Sequence, residues 1–461
     1  MINPATFFVI ALIIYQASRA RDLKTLSFHL FIDGIAFALL VNSGYFIKVG
    51  SLILEYEEVL MLCFVIVSFA SGEITKTTRR LALKVLALLV VSATGLYILV
   101  VDPINVLVMP VGGSWDRFYG GSFTLEPLRF STKNIERLFR VSLIIIVVIG
   151  VSKFVRKKRF RSSLIKSIIM ITLIQAIIGY LDLVIKALFQ RPVLQSVATS
   201  FFGMGASQFG GIGIRAGSYL IQGFMKEPSH FAVSFVPGLT ILALLKAKSL
   251  STHFLEVASI VILVLSTSFA GFGIAFYWLM LKLWKYVIES RLGKTVSIAI
   301  VIIALTIVIG LIGILSDLFP LLQYYISRLS GLIGIGPAVG SESIRLFSVQ
   351  SSLDLMFRRP IFGLGLGSTN AHGFLPSLVS NIGLAGFIAW IVFFVDALGM
   401  KRASFVPLLL WLFLGMLTGD IGWLYNMMGL AMVIGVACSS YSGDKMSVNR
   451  SASTSSLTEE K

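Results

Sequence analysis

The chain has 461 residues, of which 56% are hydrophobic and only 13% charged, with a mean hydropathy of +0.91. A water-soluble protein has too little interior to hide that much apolar surface, whereas a bilayer does not require it to be hidden. Soluble multidomain architectures are therefore excluded and a polytopic membrane protein is indicated. The net charge of +17 would point to nucleic acid in a soluble protein; here basic loops on one membrane face account for it, and no nucleic-acid partner is expected.

The apolar runs are continuous and long enough for helices, not alternating segments of about ten residues, so an all-α bundle is expected and not a barrel. In chain order the spans fall at 3–17, 27–47, 56–72, 81–101, 139–155, 166–189, 229–246, 254–269, 271–287, 295–316, 377–397, 404–418 and 424–440, giving about 12–13 transmembrane helices. The first is followed by others and reads as an anchor, not a cleaved signal. The eighth and ninth are so close that they form a tight hairpin or one broken helix. Basic clusters lie at 18–24, 75–80, 157–166, 246–248, 282–294 and 401–402. If the chain changes sides at every span, all of them fall on one face, which becomes cytoplasmic, with the N-terminus outside. Residues 1–440 are expected to form one transmembrane domain. The Ser-rich stretch 441–461 is expected to be a disordered cytoplasmic tail. Cys63 and Cys438 both lie in apolar runs and give no disulfide framework.

Three long loops, 102–138, 190–228 and 317–376, all fall outside and are rich in aromatic and glycine residues, which predicts a folded cap. The second loop ends in a segment carrying Arg215, Lys226, Glu227 and His230 just before a span opens at Pro228-Ser229, where Ser229 is suited to cap the helix. The ordinary reading of such charges is a solvated helix end; Arg215 with Glu227 is the pair with chemical potential. In the third loop Arg345 opens an amphipathic helix that stops at Arg358-Arg359-Pro360. Arg358 and Arg359 suit contact with lipid phosphates, and Arg359 is also a candidate for a substrate phosphate.

Gly363, Gly365 and Gly367 then form a GxGxG run without the strand, helix and acidic residue of a dinucleotide site or the Lys-Ser/Thr of a P-loop. A backbone brought close to a ligand is the expectation here. His372 follows, suited to proton transfer near neutral pH. Inside the spans lie Asp33, Asp182, Lys186, Glu256 and Asp396. Asp182 and Lys186, four apart, are expected to neutralise each other. No His, Cys, Asp or Glu spacing suggests a metal, and no cofactor is expected.

The segments 214–232, 265–273 and 345–390, in this order, resemble the O-antigen ligase and polysaccharide polymerase superfamily of bacterial membrane proteins. Arg215, Arg345, Pro360 to Gly365, His372 and Gly383 to Gly386 match its features; the arginine often found after the serine of its Ser-rich turn is absent. The match covers roughly the C-terminal half. The resemblance implies a metal-independent inverting glycosyltransferase of the GT-C type in the bacterial cytoplasmic membrane, with its site on the periplasmic side. Its donor and acceptor would be glycans on undecaprenyl diphosphate, with membrane lipids around it and a chain-length regulator as a candidate partner protein. Arg215 and Arg345 would hold the diphosphate, together with His230 and Arg359. His372 or Glu227 would act as base, and the sequence does not choose between them. Polymerisation of repeat units is the first expectation and glycan ligation to a lipid A core or a protein the second. A secondary transporter or lipid-linked glycan flippase is the rival from another class.

Overall fold

The structure is a computed structural model. It describes residues 3–41, 44–49, 52–72, 79–102, 104, 106–108, 126–203, 214–215, 218–245, 249–289, 323–327, 330, 341–369, 373–397 and 410. The expected spans 295–316, 404–418 and 424–440 and the tail 441–461 lie outside these residues.

The described chain is mostly helical. Its helices are α1 (Pro4–Arg19), α2 (Leu23–Leu40), α3 (Tyr56–Ala70), α4 (Arg79–Val101), α5 (Thr132–Arg156), α6 (Lys158–Phe189), α7 (Val193–Phe202), α8 (Pro228–Val233), α9 (Val236–Leu244), α10 (Leu250–Leu265), α11 (Phe269–Glu289), α12 (Ser341–Arg358) and α13 (Phe374–Ala397). Four stretches among them are long and apolar enough to cross a membrane: Leu23–Leu40, Leu83–Val101, Lys158–Phe189 and Phe374–Ala397. The expected spans at 3–17, 229–246 and 254–269 correspond to shorter apolar helices.

Helix starts follow local chemistry. Asn3 caps α1 ahead of Pro4, Asp22 caps α2 and Ser249 caps α10, each accepting a first-turn backbone N–H. The hairpin expected near residue 270 is present as α10 and α11 around Ser266–Ser268. Several boundaries differ from expectation: α5 and α6 start at Thr132 and Lys158, ahead of the expected 139 and 166, and one helix gives way to a ribbon. The helix expected to 47 ends at Leu40, and β1 (Tyr45–Val49) pairs antiparallel with β2 (Leu52–Glu55). Tyr45, Phe46, Ile47, Val49 and Ile53 are residue types that favour strands, and a ribbon forms once the helix has ended at Leu40. Two smaller ribbons, β3 (Leu107–Val108) with β4 (Glu126–Pro127) and β5 (Ile214–Arg215) with β6 (Ser218–Tyr219), lie in the loops.

One face of each long helix packs inward and the other stays apolar and open. On α6, Leu164, Ile168, Ile171, Gln175, Gly179 and Asp182 are buried, while Met170, Ile174, Ile177, Leu181, Val184 and Leu188 are exposed. Both faces follow the helical period, and an exposed apolar stripe of that length suits lipid.

The glycine run is where the fold departs most from expectation. α13 is broken at Gly383, which has φ 64° and ψ −172°. A continuous helix would bond the N–H of Leu384 to Ser380 and that of Ala385 to Asn381. Instead Leu364 and Gly365 donate to the carbonyls of Ser380 and Asn381 at 3.0 and 2.9 Å. The N–H groups of Leu384 and Ala385 donate to Pro360 and Ile361 at 2.8 and 3.0 Å. Residues 360–365 thus splint the break and satisfy all four freed groups, as an apolar medium demands. The glycines serve this contact between backbones, not an approach to a ligand. A Cβ on Gly363 would lie 2.6 Å from the Asn381 carbonyl and the Gly383 nitrogen. Gly95 of α4 opens the other side, where a Cβ would lie 2.7 Å from the Phe362 carbonyl.

Gly363→Ala and Gly383→Ala are therefore expected to lower the thermal midpoint of the purified protein in detergent. The left-handed backbone alone accounts for about 1–2 kcal/mol, and the overlap adds to it. Gly34→Ala, whose Cβ would meet the flexible end of Met61, is expected to lose less.

Candidate functional site

The segment that carries Glu227 and His230 is anchored by an ion pair. Asp182 and Lys186, one turn apart on α6 and both buried, approach to 2.9 Å. Asp182 also accepts the N–H groups of Gln222 and Gly223 at 2.8 and 3.1 Å. Lys186 donates to the Leu220 carbonyl at 2.6 Å, and Gln195 of α7 donates to the Gly223 carbonyl at 2.9 Å. The pair neutralises itself as expected and also fixes residues 220–223. A few residues on, Phe231 seats over Gly179 of α6, where an added Cβ would lie 2.6 Å from its ring.

Between these anchors α8 begins at Pro228, with Glu227 in the cap position. Ser229, expected to cap, instead donates to the Glu227 carboxylate at 3.1 Å, because Pro228 occupies the first helical position. Glu227 is half-buried and His230 is buried. The His230 ring lies in the field of Glu227, Lys226 and Glu55.

Glu55 opens a cluster that sequence reasoning did not single out. Glu55 and Glu58 form a capping box at the start of α3. Arg140 of α5 reaches them, with Nε 2.8 Å from Glu58 Oε1 and Nη2 3.6 Å from Glu55 Oε1. Its Nη2 is also 3.5 Å from Glu136 Oε1, and Lys133 lies 2.6 Å from Glu136 Oε2. Glu57, Glu58, Arg137 and Arg140 are all buried. Three carboxylates already hold Arg140, so it is not placed to bind a phosphate. The signals were in the sequence: EYEE immediately before an apolar run, and Glu136 and Arg140 one turn apart where another begins.

The glycine turn docks on the same end of α5. Asn134 completes the capping box of α5 and donates to the Leu366 carbonyl at 2.8 Å and to Ser368 Oγ at 3.1 Å. A Cβ on Gly367 would lie 2.9 Å from Arg137 Cγ. Asn381, fully buried in α13, accepts from the N–H groups of Ser368 and Thr369 at 2.9 and 3.3 Å and donates to the Thr369 carbonyl at 3.0 Å. The turn therefore docks on Asn134 and Arg137, about one helical turn before Arg140 on α5, and Glu55 acts on His230 through its charge.

The other expected residues fall as follows. Arg215 lies in β5, its backbone opposite Ser218, and Arg345 lies in the first turns of α12; the side chains of both are outside the described residues. α12 packs through Leu355 on Leu99 and Leu364, beside the glycine turn. Arg359 is tied to Asp102 at the end of α4, with Nη2 2.8 Å from Oδ2 and a second bond to the Asp102 carbonyl. Its Nη1 is buried without a hydrogen-bond partner among the described residues. His372 lies outside the described residues. The remaining charges inside the spans are all paired: Asp33 with Gln16 at 2.8 Å, Glu256 with Lys282 and Trp278 at 2.9 and 2.7 Å, and Asp396 with Lys84 at 2.9 Å. Among the described residues no group of His, Cys, Asp and Glu is placed to hold a metal ion.

The arrangement has two chemical halves. Four carboxylates (Glu55, Glu57, Glu58 and Glu136) stand against Lys133, Arg137 and Arg140. The backbones of β5 and α12 carry Arg215 and Arg345. No protein-family model matches the chain, and no curated protein matches it either.

Arg140→Met is expected to cost about 3–5 kcal/mol of stability, because it leaves buried carboxylates without their counter-charge. Adding Glu58→Gln should restore part of that loss. Denaturant unfolding of the single and double variants in detergent measures the coupling; strictly additive losses would show that the pair does not interact.

Proposed function

We propose that the chain is a membrane-embedded, metal-independent inverting glycosyltransferase that polymerises oligosaccharide repeat units carried on undecaprenyl diphosphate. It would work at the outer face of the bacterial cytoplasmic membrane within a GT-C-like helical frame. The observation that carries this reading is the meeting, at one end of the bundle, of the 214–232 segment, the acidic cluster on α3 and α5, and the glycine turn. The sequence assigns all of these to the outer side. The resemblance of segments 214–232 and 345–390 to the polymerase and ligase superfamily supports it from a second direction.

In this mechanism an acceptor sugar hydroxyl gives its proton to Glu227 or His372, and its oxygen attacks the anomeric carbon of the donor. The bond from that carbon to the diphosphate oxygen breaks, and the lipid diphosphate leaves with the electron pair. Negative charge grows on the leaving group, and Arg215 and Arg345 are suited to it because guanidinium forks bind phosphate oxygens bidentately and stay charged. Glu227 is half-buried, beside the buried His230, at the cap position of α8. Ligation to a lipid A core or a protein uses the same chemistry with another acceptor. A transporter reading is weaker. The charges inside the described spans are paired within the protein, and the break in α13 is closed by its own chain, which leaves neither for cargo.

Arg215→Ala and Arg345→Ala are each expected to lower turnover of a purified lipid-diphosphate donor by about 10²–10³-fold and to abolish long polymer on a gel. Wild-type polymer in both variants would remove the assignment. Glu227→Gln and His372→Ala identify the base: the variant that loses about 10²–10⁴-fold in turnover with donor binding intact carried the proton. A reconstituted assay offering both acceptor types separates polymerase from ligase.

A further inference from the structure

Two basic segments far apart in sequence form one surface at the opposite end of the bundle. Residues 18–24 make the turn between α1 and α2, and residues 157–166 begin at the corner where α5 ends and α6 starts, with Lys157 capping both helices. The two corners are locked together by three phenylalanines. Phe28 packs on Phe160 at 4.8 Å and on Phe154 at 5.5 Å between ring centroids, and Phe154 packs on Phe160 at 5.1 Å. Above this aromatic base stand Arg19, Arg21, Lys24, Lys157, Lys158 and Arg159, all exposed.

The two segments are basic in composition. Asp22 is the one carboxylate within residues 18–28 and 153–166. It is engaged: its Oδ1 accepts the Thr25 N–H at 2.6 Å, which holds its carboxyl below the ordinary aspartate range, with Lys24 and Arg159 acting in the same direction.

The position of this surface selects its partner. α2 and α6 both start here, and both are long and apolar enough to cross a membrane. α6 has 32 residues, so it is about 48 Å long at 1.5 Å per residue, against a hydrocarbon layer of about 30 Å. The excess leaves its basic first turns beyond the hydrocarbon, at the depth of the lipid headgroups. The exposed apolar stripe of α6 begins only at Met170.

We propose that the joined α1–α2 and α5–α6 corners form a binding surface for the phosphate headgroups of anionic membrane lipids. Arginine and lysine would hold them through charge-assisted hydrogen bonds, and the phenylalanine base would keep the two corners in register. The inference rests on these contacts and helix lengths and is independent of the chemistry proposed at the other end.

The test uses the full-length protein reconstituted in phosphatidylcholine alone or with roughly a quarter phosphatidylglycerol, a content at which headgroup charge attracts basic segments. Phosphatidylglycerol is expected to raise the thermal midpoint and to remain bound in native mass spectrometry after delipidation. The combined variant Arg21→Gln, Lys24→Gln, Lys158→Gln, Arg159→Gln should bind it more weakly by on the order of tenfold or more. Should that variant fail to fold, the wild-type protein still decides: its stabilisation must shrink as salt is raised, since exposed charges are screened. Equal midpoints in both lipid mixtures, or undiminished lipid retention by a folded variant, would overturn the proposal. So would equal stabilisation by soluble polyglutamate, which would make the partner an acidic protein segment.

Discussion

Where water is excluded, a backbone N–H or carbonyl must find its partner inside the protein, and this requirement shapes the break in α13. The helix stops at Gly383 and loses two of its own hydrogen bonds. Residues 360–365 supply the missing donors and acceptors from another part of the chain. Only glycine at 363 and 383 permits the approach, because each adopts a left-handed backbone and a side chain at either would strike main-chain atoms. The splint then holds α4 through Gly95 and α5 through Asn134. A local defect in one helix thereby becomes the junction of three.

The same requirement governs the charges. Asp182 and Lys186 would be costly in isolation, yet together they hold the loop that leads into Glu227. Arg140 is surrounded by Glu55, Glu58 and Glu136, and the cluster links α3 to α5 directly below the glycine turn. Buried ion pairs of this kind contribute little net stability against apolar replacements, but they penalise any arrangement that separates them. They therefore fix which loops meet. The candidate acid–base groups and the arginine-bearing segments come from distant parts of the chain and need such fixing.

Much of this was legible in sequence. Apolar run lengths gave the helices, and the four-residue spacing of Asp182 and Lys186 gave their pairing; the caps at Asn3, Asp22 and Ser249 came from the structure, and the cap expected at Ser229 is not made. The candidate site was legible in part. Glu227 and His230 stand together where the chain opens a helix, as expected. Arg359 is tied to Asp102, which lies 257 positions away in sequence, and no spacing rule could join them. Glu55, Glu58 and Arg140 escaped notice for the same reason: each looks like an ordinary charge at the end of a span until the other helix is placed beside it.

Composition and periodicity by themselves determined that this is a helical chain with segments suited to a membrane, since transfer of apolar surface and closure of backbone hydrogen bonds are properties of each segment alone. Short-range chemistry likewise set caps, turns and pairs within a helix, where the partners are a few residues apart. Only the tertiary structure decided that the glycine run repairs a broken helix and does not cradle a ligand, that Arg140 gathers carboxylates from two helices, and that two remote basic turns make one surface. Those outcomes depend on which groups meet across the bundle, and such meetings are fixed by packing and by the pairing of buried polar groups, not by any pattern a single stretch of chain can carry.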